Sequence, residues 1–247
     1  MTTTQQPVHT TRQVETTIAI RVWQVPVRVL HWTIVATIIV LSVSGYYIGN
    51  PGIFPAPSPN SMATVRAVHV VTGLIFAAAL VARLIYMFTG NQWAHWRQFV
   101  PLGKERRKLI PPSVRYYLYL EREPPPVVGH NPLAGMTYLV VYAMLVAQTF
   151  AGIALMAADE RGHGWEWAVG GWVFHLLPVP TIRFIHHLVM WLVWGFFVHH
   201  MYAAILVDRE ERSGEISSIV TGWKVLPRRR VETEIRQWRR RHATKHR

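Results

Sequence analysis

Four apolar stretches, at approximately 29–49, 67–89, 133–157 and 184–207, constrain this chain of 247 residues more than any other feature. Each has the roughly 20 residues needed to cross a bilayer as a helix. The first, VLHWTIVATIIVLSVSGYYIG, has His31 as its only ionisable residue, and the third carries no charge. The second holds His69 and Arg83, and the fourth holds four histidines but no acid, Lys or Arg. Four such spans are too long and too apolar for the core helices of a soluble protein. They predict an all-α integral membrane four-helix bundle, because only a helix satisfies its own backbone in lipid without closing a barrel. One transmembrane domain over 1–226 is expected, followed by a basic tail over 227–247. No internal repeat is present.

The formal net charge of +13 invites a nucleic-acid reading, but its distribution reports topology instead. Arg12, Arg21 and Arg28 precede the first span, seven Lys and Arg lie in the 90–132 loop, and twelve follow Asp208. The other two loops hold only Arg66, Arg161 and Arg183. Positive charge stays on the cytoplasmic side, so both termini and the middle loop are predicted there, in a multi-pass membrane protein. Residues 1–20 lack an apolar signal core, so the first span is read as retained. The tail is left with two readings, contact with anionic lipid or plain solvation. Trp23, Trp32, Trp93 and Trp96 read as interface anchors, and the KLIPPSVRYYLYLERE stretch as a segment lying at the interface.

Ionisable residues inside spans are costly and therefore candidates for function. His186 and His200 lie 14 positions apart. That is close to four helical turns, so both point the same way, roughly 21 Å apart along the axis. Pairings 13 apart, such as His186 with His199, diverge by roughly 140°. The alternating direction of the spans gives each ring a partner at its own depth. His69 matches His186 near the outer surface, and His31 matches His200 near the inner one. Two stacked bis-imidazole sites in a four-helix bundle match the ligand plan of a protein binding two b haems. Zinc is the competing reading, but two histidines per site are too few for a closed site. The absence of cysteine removes iron–sulfur ligation and covalent haem attachment.

Arg83 follows His69 by 14, placing it at the inner level, where a haem propionate or snorkelling would satisfy it. Gly45 follows His31 by 14, placing it at the outer level, where it admits a macrocycle or simply a close helix. His130, in GHNP, suits a quinone contact or proton path. Asn131 and Pro132 also read as an N-cap and first helical residue. Asn131, Arg28 and His199 are the other candidates for a quinone site at that depth, with Trp32 and Tyr202 also available there. His187 and His199 face away from the haem line. His9, His95, His163, His175, His242 and His246 read as loop or solvent histidines.

These motifs identify a resemblance. PVRVLHW (26–32), GYYIGNP (45–51), RAVHVVTG (66–73), ARLIYMFTGN (82–91) and RYYLYLEREPP (115–125) resemble the cytochrome b subunit of membrane-bound nickel–iron hydrogenases. So do GHNPLAG (129–135), HLVMW (187–191), HHMYAAI (199–205) and SSIVTGWK (217–224). The resemblance covers about residues 18–226. It implies haem ligation by His69 and His186 at the outer site and by His31 and His200 at the inner one. It implies a hydrogenase iron–sulfur small subunit outside, through it the nickel–iron large subunit, and electrons crossing two haem b groups to a quinone. No hydrogen-activating site is implied on this chain. The formate dehydrogenase cytochrome shares the plan, so an anchor for a formate dehydrogenase or thiosulfate reductase type of enzyme is the alternative. A haem-free anchor or transporter relaying protons through histidine is the third reading. Arg183 stands where the family often has a further histidine, and the tail is longer and more basic than the pattern.

Overall fold

The structure, a computed structural model, describes residues 16–53, 60–160 and 162–243. The readings of His9, Arg12, Arg161, His246, the prolines within 54–59 and the His242 side chain fall outside what is described. In chain order the elements are β1 (Thr17–Arg21), α1 (Val25–Gly49), α2 (Ser61–Thr89), α3 (Lys104–Arg107), α4 (Ile110–Tyr117) and α5 (Pro132–Glu160). They continue with α6 (Gly164–Gly170), a 3-10 turn (Gly171–His175), α7 (Val179–Glu211), α8 (Glu215–Thr221), β2 (Trp223–Pro227) and α9 (Arg228–Ala243). Among the described residues, α1, α2, α5 and α7 are the four helices long and apolar enough to cross a membrane.

Each helix outruns its apolar stretch by several residues at one end or both, because a helix continues past the hydrocarbon until a stop signal intervenes. Prolines near the starts of α1 and α7 lack the N–H that would be unpaired there anyway. Asn131 caps α5, its Oδ1 accepting from the Ala134 N–H at 2.8 Å. Within the spans, Thr37, Thr137 and Thr149 return their hydroxyls to carbonyls one turn back, so these three donors are satisfied within their own helices.

The bundle is assembled as two pairs, α1 along α2 and α5 against α7, with far less contact between the pairs. Phe76 and Leu80 of α2 meet Leu145 of α5 and Val189 and Val193 of α7 at mid-depth, making an apolar plug. Trp194 Nε1 donates to Ser42 Oγ at 3.0 Å, linking α7 to α1 beside that plug. Val43, Val71, Ile85, Phe88, Val140 and Val198 are exposed on the bundle's outside. In water such a surface would be untenable, and in a bilayer it is the ordinary lipid face.

The two ends differ. One carries α6 and the 3-10 turn, with Trp165, Trp172 and Leu176 exposed. The other carries a folded cap. There β1 and β2 pair antiparallel from Thr17↔Pro227 to Arg21↔Trp223, joining the segment before α1 to the segment after α7. The cap core contains Val22, Trp23, Val27, Trp93, Val128, Leu226 and Val231. Trp23 and Trp93 are thus buried rather than anchored at an interface, because the ribbon and α9 cover them. Trp23 Nε1 donates to Ser218 Oγ at 3.1 Å. The arginine-rich tail holds a third arrangement beside lipid contact and solvation. It forms α9, with Val231 buried and Ile235 packed on the cap core.

Candidate functional site

The slot between the two helix pairs carries histidines at two levels. At the α6 end, the His69 and His186 ring centroids are 6.4 Å apart with planes at 67°. Ser44 Oγ lies 2.8 Å from His69 Nδ1, which leaves Nε2 as the free nitrogen of that ring. Gly45 is what allows this approach, since a Cβ there would stand 3.1 Å from His69 Cε1. Gly152 gives His186 similar room, and Gln148 Nε2 donates to the His186 carbonyl at 2.9 Å. His186 Nδ1 is buried with no partner. His187 turns away, its Nδ1 2.8 Å from the Arg183 carbonyl and its ring over Gly49.

At the cap end, Tyr138 Oη lies 3.2 Å from His200 Nδ1, again leaving Nε2 free, and Phe196 stacks on the His200 ring. His31, on α1, lies within electrostatic reach of His200 and Arg83. Its Nδ1 is buried with no partner, and Trp32 stands edge-on to it. Arg83 is 4% exposed, so it does not reach solvent. Its guanidinium sits over Phe99 and Tyr142, and Nη1 is buried without a partner.

An orphaned buried donor costs about 1–3 kcal/mol, more when charged, so the unpartnered Nη1 of the buried Arg83 guanidinium calls for an anionic group in the slot. Each level offers two imidazoles. Among the described residues no group of three His, Asp or Glu gathers to hold a bare metal ion. Two nitrogen donors per level suit a haem iron, which takes four of its ligands from the macrocycle, better than zinc. The unpartnered Arg83 Nη1 suits an anionic propionate. The residues present therefore fit a haem at each level.

Beside His200 at the cap end lies a cavity of ≈ 90 Å³. His130, Asn131, Tyr138, Glu211, Glu215 and Lys224 are among its lining. The His130 ring packs against Trp23, Phe99 and Tyr138, with Nδ1 buried and unpartnered. Burial above all, then the positive charges of Lys224, Arg83 and Arg106, holds His130 well below the ordinary imidazole pKa, so the ring stays neutral. Asn131 spends its side chain on the α5 cap and on Tyr117, to whose hydroxyl Nδ2 donates at 3.0 Å. Of the sequence candidates for a quinone, His130 and Asn131 come together here. Arg28 and His199 do not line the cavity. Arg28 instead donates to the Val220 carbonyl, and His199 is exposed opposite Tyr117.

Sequence reasoning missed Ser44, Tyr138, Glu211, Glu215 and Lys224. Ser44, adjoining Gly45, carried a weak signal. Glu211, Glu215 and Lys224 carried none, because what marks them is their packing against Val128 and His130, some ninety positions earlier in the chain.

The family model described as prokaryotic cytochrome b561 matches residues 22–222. A "Probable Ni/Fe-hydrogenase B-type cytochrome subunit" of Bradyrhizobium diazoefficiens is 34% identical over 207 residues, covering 81% of this chain and 84% of the relative. Its namesake in Rhizobium leguminosarum bv. viciae is 32% identical, covering 84% and 90%. The "Probable Ni/Fe-hydrogenase 1 B-type cytochrome subunit" of Escherichia coli K12 is 28% identical, covering 82% and 89%.

Proposed function

The chain belongs to the prokaryotic cytochrome b561 family, a multi-pass membrane cytochrome with b-type haem, and on that premise we propose that it anchors a nickel–iron hydrogenase and passes its electrons to quinone. The observation that carries this reading is the pair of histidine levels, His69 with His186 and His31 with His200, on either side of an apolar plug. Haem, when bound, supplies the one-electron chemistry that no side chain here can. The four histidines would be the axial ligands of two haem b groups. Ser44 and Tyr138 orient His69 and His200, and Arg83 balances a propionate at the cap level. Gly45 keeps α1 close to His69.

The cap face is assigned to the cytoplasm by its excess of Lys and Arg, and the α6 face to the outside. Exposed Trp165, Trp172 and Leu176 on that outer face form the surface offered to the hydrogenase iron–sulfur small subunit, and through it to the nickel–iron large subunit. Such docking puts a donor close to the outer histidine level. Quinone is assigned to the cap level, where His130 and Asn131 offer polar contacts.

Purification from native membranes in mild detergent tests the proposal. Nickel–iron hydrogenase subunits should accompany the chain, H2 should reduce its b-type absorption bands, and added quinone should reoxidise them. Crosslinks should join residues 162–183 to the small subunit. Copurification of a formate dehydrogenase or thiosulfate reductase, or crosslinks confined to 97–125, would contradict the assignment.

A further inference from the structure

The cavity beside His200 is lined by groups that a resting ligand site would not need. Lys224 is only 3% exposed, yet its ammonium is ion-paired with Glu215, donates to the Val128 carbonyl at 3.4 Å and lies over the Trp23 ring. Glu215 is 25% exposed, so its carboxylate runs from that buried ammonium towards solvent. Glu211 is more enclosed and is paired with Arg230 at 2.8 Å. The lining also offers Tyr117, Tyr138 and the His130 ring. One water needs roughly 10–15 Å³ of such space, so ≈ 90 Å³ has room for several, and the polar half of a mixed lining offers them partners. Charged groups, hydroxyls and room for water in one cavity supply the parts of a conduit.

We propose that this cavity is a water-filled proton inlet for quinone reduction, with Glu215 as the carboxylate that takes protons in at its mouth and Lys224 as the cation that positions it. The proposal rests on the quinone reading above. A quinone becomes a quinol by taking two electrons and two protons, one O–H bond forming at each carbonyl oxygen. A haem held by His31 and His200 would supply the electrons, and the protons come from the cytoplasm. Glu215 hands each proton to the cavity water and regains one from solvent, so the protein ends unchanged. His130 is the poorer store because burial and its cationic neighbours keep it unprotonated. Groups acting on Glu215 or felt by it are Lys224 on β2, Glu211 and His200 on α7, Tyr117 on α4 and Tyr138 on α5.

The test uses the intact complex. Because Glu215→Gln alone leaves a buried ammonium unpaired, the double variant Glu215→Gln/Lys224→Met is made beside it, with Glu215→Asp as the conservative control. Both Gln variants should slow H2-dependent quinone reduction about tenfold, more so as pH rises and protons become scarce. Haem content and reduction of haem by H2 should match the parent, and Glu215→Asp should recover most of the rate. Infrared difference spectra on haem reduction should show a carboxylic C=O band that both Gln variants lack. Normal quinone reduction, an unchanged infrared band, or loss of haem in the double variant would overturn the inlet. A parent complex whose haems are reduced by H2 but never reoxidised by quinone would overturn the quinone reading itself.

Discussion

The two histidine levels present the same side chains in different surroundings. At the α6 end, His69 and His186 lie 6.4 Å apart among helix surfaces, steadied by Ser44 and by glycine notches at Gly45 and Gly152. At the cap end, His200 and His31 sit beneath a folded lid with its own core, and with Arg83, His130, Glu215 and Lys224 close by. One level is built from helix packing alone, the other from helices plus non-local structure. On the proposed reading, the difference teaches that ligation would need little beyond spacing, whereas coupling electrons to protons would need a polar enclosure. An enclosure of that kind is hard to build in lipid and is easier to build at the water-facing end.

The contrast can be broken at either level separately. The largest effects should come from two glycines. Gly45→Val puts side-chain atoms where His69 Cε1 stands and should remove most of the outer haem while sparing the inner. Gly222 has φ +90°, and a Cβ there would lie 2.6 Å from the Trp23 carbonyl, so Gly222→Val should open the ribbon and deplete the inner haem instead. Haem quantification with low-temperature spectra checks both, and equal loss of both haems in either variant would abolish the distinction.

Smaller effects should follow from the hydroxyl partners. Ser44→Ala and Tyr138→Phe each remove the group that orients one imidazole, which typically costs about 10–100-fold in metal affinity. Haem should wash out faster from the outer level in the first variant and from the inner level in the second. Retention kinetics in detergent, followed by absorbance, measure this.

The smallest effect is on pH. His130 in the folded cap stays unprotonated well below its ordinary range, whereas in the unfolded chain it binds a proton near pH 6.5. The unfolded state therefore holds more protons below that pH. The cap's stability should be flat above about pH 7.5 and fall as pH drops below about 6.5. The thermal midpoint, read from the fluorescence of buried Trp23 and Trp93, should decline by on the order of 3 °C per pH unit there. His130→Asn should flatten that decline.

What was legible in the sequence follows the same division. The spans are visible because roughly 20 apolar residues announce themselves at any position. The histidine levels are visible because 14 residues is nearly a whole number of turns. The cap is not, because β1 and β2 lie some two hundred positions apart and each is only five residues long. Neither strand alone has enough apolar surface to signal its partner. The α9 stripe of Val231, Ile235 and Trp238 is at helical spacing, but it is submerged among arginines, so the tail read as charge alone. Glu215 and Lys224 carry no signal of their own in the sequence, since only the folding of α8 and β2 sets them against Val128 and His130.

The central claim is that this chain holds two haems, each between a level-matched histidine pair. The most direct measurement is the haem-to-chain ratio of the purified protein, taken with His186→Ala and His200→Ala. The account predicts two b haems per chain in the parent and one in each variant, the outer haem missing from the first and the inner from the second. One haem or none in the parent, or two retained in either variant, would contradict it.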